Sequence, residues 1–187
     1  MQTRSAQYLP DVIIVEPRVF EDDRGSFLES YNKKRYQAAG IHEDFVQDNH
    51  SWSRQGVLRG LHYQHPNPQG KLVRVVEGEV LDVVVDVRLG SPTFCRWLAL
   101  RLSGTNHTQV YIPPGYAHGC LVLSPGAHFA YKMTRYWELS SEHTVAWNDP
   151  SLGIEWPIDS PLLSDKDSAG LRTEDLRRSG QLPEYRS

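Results

Sequence analysis

The chain has 187 residues, with 23 Asp and Glu against 20 Lys and Arg, a formal net charge of -3 and a pI near 6.2. That length can bury a substantial core and lies within the roughly 50–200 residues usual for one domain. The slightly acidic balance offers no broad positive surface to a polyanion, so nucleic acid is excluded as an expected partner, while a local basic pocket for a small phosphate ester is not. No apolar run approaches membrane-spanning length, and the N-terminal run VIIV is far shorter than a signal-peptide core. Cys95 and Cys120 are too few for a disulfide framework and lack close metal-type spacing, so reduced thiols in a cytoplasmic protein are expected.

In chain order, short β-rich runs return between turn signals. DVIIV and SFLESY come first. NKKRYQAAG then reads as the one short helix of this half, with Gly40 as its stop. DFVQDNHSW, KLVRVV, EVLDVVVDV, RWLALRL, QVYIP, GCLVL and HFAYKMTRYW follow as strands. In LDVVVDV, Leu81, Val83, Val85 and Val87 share one face, and Asp82, Val84 and Asp86 the other, which predicts a strand with one apolar face. Glu77 and Gly78 between KLVRVV and that run predict a tight hairpin joining the two. After Pro161 the chain turns charged and small, which predicts a short helix and a surface-bound or frayed tail. The fold class is all-β, a sandwich or barrel in one domain, with a core over about 11–158 and a tail over about 159–187.

Two histidine-bearing motifs carry the chemistry. Metal-binding cupin barrels show Gly, five residues, His-x-His, a following Glu, and Gly seven positions beyond it. Here Gly56 precedes His62 by six positions and Lys71 precedes Gly78 by seven, but Gln64 stands at the second His position and Lys71 at the Glu position. PPGYAHGCLV repeats the second cupin motif with Pro113, Gly115 and His118, and Val122 replaces its Asn. An ammonium in place of a ligand carboxylate repels a divalent ion at contact distance. His65 lies three positions from His62, on the opposite face of a regular strand, so no metal ion is expected. A base, a fixed cation and a second histidine suit proton abstraction beside a carbonyl, where the charge that develops is an enolate.

The segments DDRGSFLESY, FVQDNHSWSRQGVLRGLHYQ, QGKLVRVVEGEVLDVVVDVR, SPTFCRWLALRLS, IPPGYAHGCLVLS, AYKMTRYW and WNDPSLGIEWPI resemble, in order, the dTDP-4-dehydrorhamnose 3,5-epimerase family over about residues 11–168. The resemblance implies a cupin-type double-stranded β-helix and a homodimer whose N-terminal strands cross between subunits. It also implies a dTDP-linked 4-keto-6-deoxy sugar as substrate and no cofactor. Carried over residue by residue, it makes His62 the general base, Asp167 its orienting carboxylate, Tyr131 the proton donor on the opposite sugar face, and Lys71 the cation at the keto oxygen. It assigns Arg24, Glu29, Gln47, Asn49, Arg59, His118, Glu142 and Lys166 to substrate binding, with Arg59 suited to a diphosphate. It assigns Tyr136 to packing on the nucleotide. Tyr136 is five positions from Tyr131, so both line one cavity only if the strand bends. Gln47 and Asn49, two apart, share a face. A mono-epimerase and a non-catalytic sugar-nucleotide-binding cupin remain open alternatives at this point.

Overall fold

The structure is a computed structural model that describes residues 1–185. Two antiparallel sheets make up most of it. One has six strands in the spatial order β1 (Gln2–Ser5), β2 (Ile13–Glu16), β10 (Gln109–Ile112), β7 (Lys71–Glu77), β12 (Gly126–Met133) and β5 (Gln47–Arg54). The other has five, β13 (Glu142–Thr144), β6 (Leu58–Gln64), β11 (Tyr116–Val122), β8 (Glu79–Asp86) and β9 (Trp97–Ser103). A separate hairpin joins β3 (Val19–Asp22) to β4 (Gly25–Leu28). The three α-helices among the described residues are α1 (Lys33–Ala38), α2 (Asp165–Ser168) and α3 (Thr173–Arg178), all too short to cross a membrane.

The core lies between the sheets. Ile14, Val73, Val110 and Phe129 from the six-stranded sheet meet Val84, Leu102 and Val122 from the five-stranded one. Each such side chain contributes about 1.5–3 kcal/mol on burial. A second apolar layer on the outer side of the five-stranded sheet packs Val83, Val85 and Leu61 against Leu152, Leu176 and Leu182 from the C-terminal third of the chain. A third, around Tyr36, Ile41 and Tyr111, seats α1 on the outer side of the six-stranded sheet.

Several local expectations are corrected by this layering. KLVRVV and LDVVVDV do not pair: β7 belongs to the six-stranded sheet and β8 to the five-stranded one. Gly78 between them has φ +86°, and a Cβ there would collide with the backbone of Gly126 and Ala127. It therefore turns the chain from one sheet to the other rather than back on itself. β8 is buried on both faces: Val83 and Val85 pack beneath the C-terminal segment, and the face that periodicity leaves to solvent, with Asp82, Val84 and Asp86, turns into the space between the sheets. Asp82 and Asp86 are consequently buried. Asp86 is satisfied by Arg88, Ser91 and Thr93.

The tail is not frayed over the described residues. α2 and α3 form, Leu176 and Leu182 enter the core, and Tyr185 N–H donates to the Leu89 carbonyl. β1, β3, β6 and β13 were not anticipated as strands. α1 forms where expected, capped by Asn32, whose side chain accepts from Arg35 N–H.

Candidate active site

A cavity of about 400 Å³ opens between the sheets. β5, β7 and β12 present Asn49, Lys71 and Tyr131 from the six-stranded sheet. β6, β11 and β13 present His62, His118 and Glu142 from the other. His62 and His118 are direct cross-strand partners, so both rings project from one sheet face. β6 and β11 approach closely there, because a Cβ on Gly60 would lie 2.6 Å from the Gly119 Cα.

His62 Nε2 lies 2.5 Å from Asp167 Oδ1. Asp167 sits in the first turn of α2, whose N-cap Ser164 accepts from Asp167 N–H and donates its hydroxyl to Asp167 Oδ2 at 2.8 Å. Gly60 N–H donates to Oδ1 at 3.3 Å. Ser164, three positions after Pro161 and at the N-cap of α2, therefore fixes a buried carboxylate against the ring. Burial raises the Asp167 pKa, but the hydrogen bonds from His62, Ser164 and Gly60 outweigh it and hold the carboxyl below its ordinary range. Burial also lowers the His62 pKa by more than Asp167 lifts it. The imidazole is therefore neutral and basic near pH 7.

Lys71 is 8% exposed, and its Nζ donates to the His62 carbonyl at 3.1 Å. Burial pulls its pKa down to about 8, against the upward pull of Glu142 and Asp82. Glu142 also pairs with Lys166 at 3.0 Å. At the second His position of the cupin frame, Gln64 is structural: its amide donates to the Asn67 carbonyl and accepts from Glu138 N–H. Among the described residues no three His, Cys, Asp or Glu side chains gather as a metal site.

Tyr131 faces the cavity from the sheet opposite His62. Burial raises its pKa despite a hydrogen bond with Asn49, so the phenol keeps its proton at neutral pH. Gln47 and Asn49 do share the inward face of β5. Gln47 Nε2 donates to Asn49 Oδ1, and Gln47 Oε1 accepts from Trp137 N–H at 3.0 Å. Arg59 lies at the rim with one nitrogen, Nε, donating to Ser53 Oγ, which leaves its terminal nitrogens for a ligand.

Three assignments are not brought to this cavity. Tyr136 is 68% exposed and does not line it, whereas Trp137 does. β12 ends at Met133, so strand alternation no longer governs the following residues, and the sequence RYW held both aromatics without revealing which turns inward. Arg24, at the turn of the β3–β4 hairpin, pairs with Asp22 and has an 89% exposed side chain. Glu29 pairs with Arg35 and accepts from Asn32. Asp82, which sequence reasoning passed over, hydrogen-bonds His118 Nε2 at 2.7 Å. The available signal was an Asp alternating with valines in the middle of a strand.

Comparison with known proteins converges on one family. The model of the dTDP-4-dehydrorhamnose 3,5-epimerase family matches residues 6–175. The chain is 57% identical over 164 residues to the dTDP-4-dehydrorhamnose 3,5-epimerase of Pseudomonas aeruginosa, covering 87% of this chain and 91% of that one. The solved structure of the dTDP-6-deoxy-D-glucose-3,5-epimerase of Legionella pneumophila in complex with dTDP-4-keto-L-rhamnose is similar at a TM-score of 0.95 and 48% identity, covering 100% and 99% of the two chains. A 3'-monoepimerase of Streptomyces bikiniensis in complex with dTDP-quinovose is similar at a TM-score of 0.91 and 36% identity, covering 97% and 93%. With its cupin-type barrel and a family match over most of its length, the chain belongs to the dTDP-4-dehydrorhamnose 3,5-epimerase family.

Proposed function

We propose that the protein inverts C3 and C5 of dTDP-4-dehydro-6-deoxy-D-glucose, giving dTDP-4-dehydro-L-rhamnose for dTDP-L-rhamnose synthesis. The observation that carries this reading is a base and an acid on opposite sheets of one cavity, with a buried cation between the β6 and β12 walls. At each carbon, the neutral His62 nitrogen takes the proton beside the ketone, and the C–H electron pair forms the enolate, whose oxygen charge meets Lys71. Tyr131 then delivers a proton from the other face. Proton exchange with solvent returns His62 and Tyr131 to their starting forms, so the reaction is balanced without a redox partner, and we propose that no metal or cofactor takes part. Asp167 orients the imidazole and stabilises the imidazolium.

Arg59 holds the diphosphate end, His118, Gln47 and Asn49 the polar edges of the ligand, and Glu142 with Lys166 the sugar side of the mouth. Trp137 replaces Tyr136 as the surface on which the base packs, because Trp137 faces the cavity. Arg24 and Glu29 reach the site from a second copy in a homodimer. Phe20 and Phe27 support that arrangement, being 50% and 69% exposed on a hairpin that joins neither of the two main sheets, since an isolated two-stranded hairpin is marginal in water. The two free thiols suit a reducing, cytoplasmic compartment.

The test is product stereochemistry by NMR after incubation with dTDP-4-dehydro-6-deoxy-D-glucose in the presence of a chelator. Inversion at both C3 and C5 is expected. Inversion at one carbon favours the mono-epimerase, binding without turnover the non-catalytic cupin, and activity restored by a divalent ion contradicts the metal-free chemistry.

A further inference from the structure

Among the buried ionisable groups that the proton-transfer scheme leaves unused, Asp82 is the carboxylate that meets a cavity-lining histidine. Asp82 is 1% exposed, in the middle of β8, and its side chain faces the barrel interior with Val84. Its Oδ2 lies 2.7 Å from Nε2 of His118, whose ring stacks beside Phe129 and lines the cavity. Cys120, the cross-strand partner of Asp82, lines the same wall. Among the described residues, His118 Nδ1 has no hydrogen-bond partner, so the Asp82 contact leaves that nitrogen for a ligand.

We propose that Asp82 is a positioning residue of the reaction: its carboxylate fixes the His118 ring with Nδ1 presented to substrate, and sets a buried negative charge behind Lys71. This rests on the epimerase reading above. The cavity thus holds two His–Asp pairs on neighbouring strands, and they differ in use. His62–Asp167 faces the reacting carbons. His118–Asp82 serves the polar groups of the ligand: with Nε2–H donated to Asp82, the neutral ring offers Nδ1 as an acceptor to a ligand hydroxyl, and only a ring carrying a second proton donates Nδ1–H to an anionic oxygen.

The charge also reaches Lys71. The groups that act on that ammonium are Glu142 on β13, Asp82 on β8, Lys166 on α2 and Cys120 on β11. The two carboxylates favour its charged form, while burial opposes it most strongly. Removing the Asp82 charge while keeping its shape leaves Glu142 as the nearby carboxylate.

Asp82→Asn makes the distinction, because an amide oxygen still accepts from His118 Nε2–H but carries no charge. The pH profile of kcat/KM is measured for the wild type and Asp82→Asn. The alkaline limb, which reports the essential acid of the free enzyme, is expected to move down by about one pH unit, a loss of about tenfold above neutrality that shrinks on acidification. A limb that stays in place, whatever its height, overturns the electrostatic role. The wild type supplies the second readout independently of activity and of variant folding: nitrogen-15 NMR of His118 is expected to show Nε2 protonated across neutral pH. A neutral Nδ1–H tautomer overturns the positioning role even if the protein proves to be an epimerase. A wild type inactive on the 4-keto sugar with Nε2 protonated would instead fault the reaction assigned to the cavity.

Discussion

At the scale of single residues, the site depends on groups whose ionisation burial has moved. His62 is pulled below its ordinary pKa by burial, and Lys71 is pulled to about 8. The active form therefore has His62 neutral and Lys71 charged, and the kcat/KM profile is predicted to be a bell. Its acid limb lies below the ordinary imidazole value and its alkaline limb near 8. An acid limb above the ordinary value would reverse the sign assigned to His62.

Lys71 also carries a stability cost. The unfolded chain keeps that proton to the ordinary lysine value, whereas the folded chain releases it near 8. Between those values the unfolded state binds more protons, so Lys71 makes folding more favourable as pH rises through this window. At neutral pH the buried charge costs about 3 kcal/mol. Lys71→Met is predicted to stabilise the fold by roughly 1–3 kcal/mol at pH 7 while lowering turnover by about 10²–10³. Denaturant titration beside steady-state kinetics checks both, and a variant that loses stability and keeps turnover contradicts both.

At the scale of elements, the loop after β12 decides which aromatic faces the cavity. Gln47 Oε1 holds Trp137 N–H, Gln64 holds Glu138 N–H, and Gln69 Nε2 donates to the Arg135 carbonyl. Three amide side chains from the barrel thus pin the segment around Trp137. Trp137→Ala is predicted to weaken dTDP binding by about tenfold or more, and Tyr136→Ala by little. Calorimetry with dTDP checks this, and the reverse order contradicts it.

The same elements show what the sequence held. His62 and Lys71 were legible because motif spacing survives on short regular strands, whereas Tyr131 and Arg59 came through family resemblance. Asp167 was legible only through family resemblance, since its partner lies 105 positions away. Trp137 and Asp82 were not legible. Strand parity ends at Met133, and periodicity cannot show that the C-terminal segment covers the outer face of β8. The hairpin expected at Gly78 failed for a related reason: alternation identifies a strand but not the sheet it joins.

At the scale of the whole molecule, each copy presents an exposed hairpin bearing Phe20, Phe27 and Arg24, and a cavity that Arg24 of the same copy does not line. The proposed dimer completes each site with the hairpin of the other copy. Mixing Arg24→Ala and His62→Ala chains through dissociation and reassembly is predicted to restore about a quarter of the wild-type activity, because half the dimers then hold one intact site. No recovery despite demonstrated mixed dimers would place Arg24 outside the partner's site.

The central claim remains the division of proton transfer between two sheets, one bearing the base and the other the acid. The measurement that tests it most directly follows Tyr131→Phe with dTDP-4-dehydro-6-deoxy-D-glucose in D₂O, locating deuterium and configuration by NMR. The account predicts deuterium entering beside the ketone with configuration retained, because His62 still removes and returns a proton from its own face. Inversion at the wild-type rate would show that Tyr131 is not the second face, and the account would fail.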